Sequence, residues 1–237
     1  MADDSWRIAD ALWMRMEPLL PSRPRHPLGC HDPRVPDRAA MDAIVVLRTG
    51  CQWNALNATG ICTSSSAHRR FQERTKAGVF EAFWREGRLA HDALVGIDWE
   101  GLSTDGRGVP VGLVIAGANV DDHLLPRETL EAIPVSRPDP SAWDPQHLCL
   151  EKGDDDTGPR ETAGEYGVEL HLRRRGEEIV ETRECGKRAR RWVVERCHSW
   201  VNRFRALPIR WSKTRQNALA LLHCAAAIVA WRHARVG

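Results

Sequence analysis

The sequence contains 237 residues, of which 42% are hydrophobic and 28% are charged, a balance that excludes a disordered chain. The net charge of +2 is too small to predict nucleic-acid binding by itself, but Lys and Arg cluster within residues 23–38, 69–76 and 173–215. The seven cysteines form no CxxC pair and no zinc-like Cys/His spacing, which favours free thiols in a reducing cytoplasm.

The first part of the chain predicts four helices and no strand. Apolar residues recur at helical spacing in each helix, and Pro or Gly marks several of the ends. The predicted helices are 4–19, 37–47 with Asp37 as its cap and Gly50 beyond its end, a third that Thr63 or Ser64 can cap, and 79–94. We therefore predict an all-helical region over residues 1–93. The Pro- and Arg-rich segment 21–36 is either a plain linker or an extended arm that can lie along phosphates.

The third predicted helix is basic. It carries His68, Arg69, Arg70 and Arg74, which we predict as contacts to DNA phosphates or bases. A short break separates it from the second helix, as in a helix-turn-helix unit. A small helical bundle with an unrelated surface fits the same pattern equally well.

The residues from 94 onward predict a mixed α/β domain, which we assign to residues 94–237. Short apolar runs rich in β-branched residues alternate with helical patterns, as expected where helices pack on a sheet. The predicted strands are 94–99, 111–116, 147–150 and 168–172, and the predicted helices are 124–133, 161–166, 188–205 and 217–235.

The predicted helix 188–205 has an apolar stripe and a basic face. Lys187, Arg188 and Arg191 form a dense basic start that is suited to contacts with the DNA backbone. Glu195 lies among these cations. It either belongs to a site that holds phosphate and metal together or makes a surface ion pair with neighbouring arginines.

Three acidic residues could converge in the second domain. Asp98 ends the first predicted strand, Glu151 follows the third, and Glu195 lies on the basic helix. A carboxylate cluster can hold two divalent ions for phosphoryl transfer, and carboxylates suit magnesium or manganese. Taken singly, each acid is equally compatible with a turn or surface position.

Eight segments, in order along the chain, resemble DDE-type transposases of bacterial insertion sequences, related to insertion sequence 5. They are AIVVLRTGCQWNAL (43–56), TSSSAHRRFQE (63–73), GIDWE (96–100), TDGRGVPVGLVIAGAN (104–119), QHLCLEKG (146–153), RRRGEE (173–178), ARRWVVERCHSWVNRFR (189–205) and IRW (209–211). The resemblance implies a helical DNA-binding region followed by a ribonuclease-H-like catalytic domain. It also implies cleavage of DNA at terminal inverted repeats and strand transfer, with magnesium (or manganese) held by Asp, Asp and Glu, in an assembly of several copies on DNA.

The resemblance also assigns individual residues. Glu195 matches the final glutamate of the family in its W-V-V-E-R setting, and Arg196 and His198 match the accompanying basic and polar positions that we predict to contact DNA. Glu151 stands where the family has its second aspartate, because LDKGYD of the family reads LEKGDD here. The resemblance thus makes Glu151 and Glu195 the metal ligands.

The first catalytic aspartate of the family has no counterpart. In relatives the strand resembling GIDWE continues to that aspartate, whereas this chain passes directly to GLSTDGRGVP. Asp98 is the nearest surviving acid and the remaining candidate for the catalytic role. We therefore expect an internal deletion, a domain that lacks part of its first strands, and a degenerate transposase with little strand transfer.

Two other functions remain open from the sequence. One is a DNA-binding remnant that acts as a repressor at the inverted repeats, and the other is a metal-dependent nuclease or phosphatase on the same fold. We expect no membrane partner, because the apolar run 218–230 is too short to span a bilayer and contains His223. The expected location is the cytoplasm, at the nucleoid.

Overall fold

A computed structural model describes residues 7–22, 34–97, 99, 109–117, 119–120, 124–150, 157–171, 199–209 and 211–234. The chain divides into two compact units, Met1–Gly87 with Val201–Gly237, and Arg88–Trp200. The helices are α1 (Asp10–Met16), α2 (Asp37–Val46), α3 (Ser64–Lys76), α4 (Val79–Val95), α5 (Pro126–Glu131), α6 (Thr157–Glu165), α7 (Ala206–Ile209) and α8 (Arg215–His233), and the strands are β1 (His147–Cys149) and β2 (Glu169–His171). Turns of 3-10 helix follow α1 and α2, and a third covers Trp53–Thr59.

Helix α8 supplies much of the core of the first unit. Most of its residues from Ala218 to Trp231 are buried. The Trp231 ring stacks on Phe83 with centroids 6.1 Å apart, and its indole N–H donates to the Phe83 carbonyl at 3.2 Å. Gly87 permits this approach, because a Cβ there would lie 3.0 Å from the Trp231 ring.

A cluster of charges inside the first unit joins α2 to α3. Arg74 donates to the carbonyl of Asp37 at 2.7 Å and to its carboxylate at 3.3 Å. Arg70 donates to Glu73 at 3.1 Å and to the Val35 carbonyl at 3.1 Å. Burial lowers the pKa of Arg74, while the charge and hydrogen bond of Asp37 oppose that shift. The prediction that Asp37 caps α2 is wrong, since Pro36 is the N-cap and no side chain caps the helix.

The second unit contains a parallel strand pair packed on helices. Strands β1 and β2 pair in the register His147↔Glu169, Leu148↔Leu170 and Cys149↔His171. Leu148 belongs to a buried cluster with Leu130 of α5, Ala163 of α6 and Val168, and Leu170 packs against this cluster. One face of the strand pair therefore covers an apolar core. Helices and a parallel pair are consistent with the α/β class, while the ribonuclease-H-like arrangement stays a prediction.

The predicted strands at 94–99 and 111–116 are wrong within the described residues. Leu94 and Val95 complete the last turn of α4, which ends where Gly96 adopts a φ of +81°. Residues 111–116 form no strand. Val111 is nevertheless buried, and Gly112 lies against the backbone of α5, where a Cβ would come within 2.3 Å of the Thr129 carbonyl oxygen. An apolar run can be buried without forming a strand, because a strand also needs a partner with free backbone groups.

The units divide the chain differently from the boundary that we drew at 93/94. Residues 201–237, which we assigned to the second domain, lie in the same unit as α1 to α3. Helix α8 begins at Arg215 and ends at His233, close to the predicted 217–235. The helix was predictable from its apolar run, whereas its membership of the first unit had no signal in that run.

We expect replacement of Asp37 by Ala to lower the free energy of unfolding of the first unit by about 2–3 kcal/mol. Removing one partner leaves Arg74 buried and charged, and a fully buried pair costs about 3–5 kcal/mol when broken in this way. The smaller figure reflects the 25% exposure of the Asp37 side chain. Urea denaturation followed by tryptophan fluorescence measures the change.

Asp10→Ala is the matched control, because Asp10 pairs with Arg38 at the surface and its side chain is 80% exposed. Exposed pairs contribute little, so this variant should unfold close to the midpoint of the unmodified protein. Equal losses in the two variants would contradict a special role for the buried pair.

We expect the stability of the first unit to depend on pH through the buried side chain of His223. It is buried and stacks on Trp84 with ring centroids 5.0 Å apart, and burial lowers its pKa below the ordinary 6.5, with a smaller opposing effect from Glu81. The unfolded chain therefore binds this proton more readily, and the stability contributed by neutral His223 is present above pH 6.5 and is lost as the pH falls through the folded pKa. The difference in unfolding free energy between pH 7.5 and pH 5 should shrink in His223→Gln. An unchanged difference would exclude this assignment.

Candidate nucleic-acid interface

Helix α3 begins at a fixed point, because side chains bind its first backbone N–H groups. The Thr63 hydroxyl accepts from the Ser66 N–H at 3.3 Å, which confirms Thr63 as the cap. The Ser64 N–H donates to Asn57 Oδ1 at 2.8 Å, so the preceding 3-10 turn is joined directly to the helix. The start of α3 is therefore positioned by the turn that precedes it.

One side of α3 is exposed, and the partly exposed carboxylate of Glu73 lies at its edge, paired with Arg70. Its exposed residues are Ser65, His68, Arg69 and Lys76. The His68 ring meets Trp53 edge-on with centroids 4.9 Å apart, and Trp53 in turn contacts buried Phe71 at 5.5 Å. His68 is thus held by the core although it is exposed. The side chain of Gln72 donates to Asn217 at the start of α8, at 3.0 Å, so the N-terminal half of α3 presents the open part of this side.

Arg70 and Arg74 lie on the opposite side of α3, with only 3% and 2% of their surface exposed. Their guanidinium groups contact Asp37, Glu73 and backbone carbonyls, as described above. The expectation that these two arginines contact DNA is not supported by these positions, because a phosphate cannot reach a side chain enclosed in the core. Their spacing of four residues placed them on one face of α3, but the sequence did not reveal that this face is the inner one.

The remaining predicted site residues lie outside the described residues. They are Asp98, Glu151, Lys187, Arg188, Arg191, Glu195, Arg196 and His198. Their proposed roles as metal ligands or DNA contacts stay predictions. Strand β1 does confirm the predicted strand that leads to Glu151, and its last residue, Cys149, precedes Glu151 by two positions.

The strand pair brings together three side chains that sequence reasoning missed. His147, Glu169 and His171 place one ligand atom each within 4.8 Å of the others. His171 Nε2 lies 2.8 Å from His147 Nδ1, which in turn lies 3.1 Å from a Glu169 carboxylate oxygen. The sequence separates His147 from Glu169 by 22 positions, and only the parallel register makes them neighbours. The sequence did offer one indication of this cluster, since His147 and His171 lie on two consecutive predicted strands.

Within the described residues, the helices are too short or too polar to qualify as membrane spans.

Comparisons with known proteins point to transposases in both halves of the chain. Residues 8–84 match the family described as "Putative transposase of IS4/5 family", and residues 158–232 match the family described as "Transposase DDE domain". The chain is 31% identical over 138 residues to the "Putative transposase for insertion sequence element IS402" of Burkholderia cepacia.

That alignment covers 56% of this chain and 63% of the relative, so the chain spans less than two thirds of the relative's length. No solved structure matches. The first family match ends within α4 and includes α3, and the second includes β2 and most of α6 and α8. Both matched segments are thus similar to transposases, the first to the IS4/5 family and the second to the DDE type.

Proposed function

We propose that the chain binds the terminal inverted repeats of its element and acts at the nucleoid. The observation that carries this proposal is the exposed N-terminal half of α3, where Ser65, His68 and Arg69 project from a capped helix with no carboxylate among them. The N-terminal residues of a recognition helix are those that reach base edges in the major groove. Cationic and hydroxyl side chains supply phosphate and base contacts.

The second part of the proposal concerns catalysis by a ribonuclease-H-like domain. Glu151 and Glu195 would hold a divalent ion, and their carboxylate oxygens are the donors that magnesium or manganese prefers. Such an ion would stabilise charge on the phosphoryl oxygens during strand cleavage. The chain keeps Glu195, replaces the second aspartate by the longer Glu151, and has only Asp98 near the position of the first. Because displacement of a ligand by about 1 Å can reduce rates by about 100-fold, we propose that cleavage and strand transfer are weak or absent.

Substitution of Arg69 by Ala should weaken binding to a duplex that carries the element's terminal repeat. Loss of one phosphate contact should reduce the slope of log affinity against log salt by about 1, whereas loss of a base contact should reduce discrimination by about 1–3 kcal/mol. Fluorescence anisotropy over a salt series measures both. His68→Ala should act in the same direction.

Arg85→Ala is the control, since Arg85 is an exposed arginine on α4 at a distance from α3 in sequence and outside the predicted contacts. Its affinity should equal that of the unmodified chain. If Arg69→Ala and Arg85→Ala weaken binding equally, charge alone would explain the loss and α3 would have no special role.

A cleavage assay separates the two parts of the proposal. The full chain, incubated with repeat-bearing duplex and Mg²⁺ or Mn²⁺, should bind without appreciable nicking, because phosphate contacts do not depend on the catalytic acids. Efficient Mg²⁺-dependent cleavage that is abolished by Glu195→Gln would overturn the proposed loss of activity while supporting the assignment of Glu195. Cleavage of any duplex without preference for the repeat would instead indicate a nuclease.

A further inference from the structure

We propose that His147, Glu169 and His171 form a binding site for a divalent transition-metal ion of the zinc type, built from residues other than the proposed magnesium ligands. The three side chains combine two imidazoles and one carboxylate, with one ligand atom from each within 4.8 Å of the others. This site does not rest on the proposed DNA-binding function, and it concerns described residues alone.

The parallel register places these side chains on one face of the strand pair. His147 is paired directly with Glu169, and His171 follows Glu169 by two residues, so all three share a face. The intervening Leu148 and Leu170 point to the opposite face, where they pack with Leu130 and Ala163. The apolar core on one side thereby anchors the backbone that carries the ligands on the other.

The distances are close to those of a coordinated ion. Zinc bonds of about 2.0–2.1 Å in tetrahedral geometry place ligand atoms about 3.3 Å apart. The His147–His171 nitrogen distance is 2.8 Å and the His147–Glu169 distance is 3.1 Å. Occupation by an ion requires the two imidazoles to separate by about 0.5 Å, replacing their mutual hydrogen bond with two metal bonds.

Burial differs among the ligands in a way that suits ion entry. The His147 side chain is 9% exposed and therefore has restricted movement, whereas the Glu169 side chain is 65% exposed. An exposed glutamate can change rotamer to bring its oxygen toward His171 without disturbing the core. Catalytic zinc sites with three protein ligands take water as the fourth ligand.

The choice of metal follows from the donors. Imidazole nitrogen suits zinc, copper and nickel, whereas magnesium prefers oxygen atoms and retains several waters. Mg²⁺ at millimolar concentration should therefore compete poorly at this site.

Isothermal titration calorimetry of the full chain with Zn²⁺, and visible absorption with Co²⁺ as the spectroscopic probe, test the proposal. We expect one ion per chain and a tetrahedral Co²⁺ spectrum. Glu169→Gln and His171→Asn should each weaken binding by about 100-fold or more, since even changes to outer-shell partners cost about 10–100-fold. Circular dichroism would establish that the variants are folded, and the exposed position of Glu169 makes Glu169→Gln the safer of the two.

His233→Asn is the matched control, because this histidine lies at the end of α8 in the first unit, with its Nδ1 2.9 Å from the Val229 carbonyl oxygen. It should leave Zn²⁺ affinity unchanged. Three results would overturn the proposal: no Zn²⁺ binding by the folded chain, equal affinity in Glu169→Gln, His171→Asn and the unmodified protein, or displacement of Zn²⁺ by stoichiometric Mg²⁺. Equal affinity would assign the binding to cysteine thiols or to other groups.

Discussion

The buried contact between Arg74 and Asp37 is the constraint on which the first unit depends. A guanidinium group inside a protein requires a carboxylate and carbonyl oxygens close by, and the start of α2 supplies both. The separation of α2 from α3 is consequently fixed by charge as well as by apolar packing. Arg70 and Glu73 extend the same cluster by one turn of α3. Arg70 and Arg74 face inward, whereas Arg69 and Lys76 on the same helix are exposed. The difference between the two pairs is their position around the helix and not their charge.

The helices of this protein were largely predictable, and the reason is that their signals are local. The Thr63 cap, the apolar periodicity of α4 and the long apolar run of α8 each lie within the segment that they describe. Pro126 lies near the start of the predicted helix 124–133 and occupies the first turn of α5, where a missing N–H has no cost. Strands were predicted less well, because pairing depends on a distant segment. Residues 147–149 and 169–171 pair as parallel strands, whereas residues 111–116 form no strand.

The candidate sites show the same division. The basic character of α3 could be predicted from its sequence. Which of its arginines face the core could not, because a helix face that carries Arg70 and Arg74 has the polar pattern expected of an exposed face. For His147 and His171 the difficulty lies in their separation along the sequence. Neither is notable in the sequence by itself, and their meeting follows from the register of two strands joined through α6. The acids Asp98, Glu151 and Glu195 were predicted from their places at strand ends and on the basic helix, and the resemblance gives Glu151 and Glu195 their proposed role as metal ligands.

The inclusion of residues 201–237 in the first unit has a consequence for how the chain matures on the ribosome. Domains generally fold as units in the order in which they are synthesised. Here α1 to α3 emerge first, but the buried surface of α8, including Trp231 against Phe83, emerges only after the whole of the second unit. The first unit therefore cannot complete its folding until α8 has been synthesised, and until then the apolar residues that α8 covers are exposed to solvent. A ribosome that stalls or terminates between residues 88 and 200 would release a chain whose N-terminal helices lack part of their core.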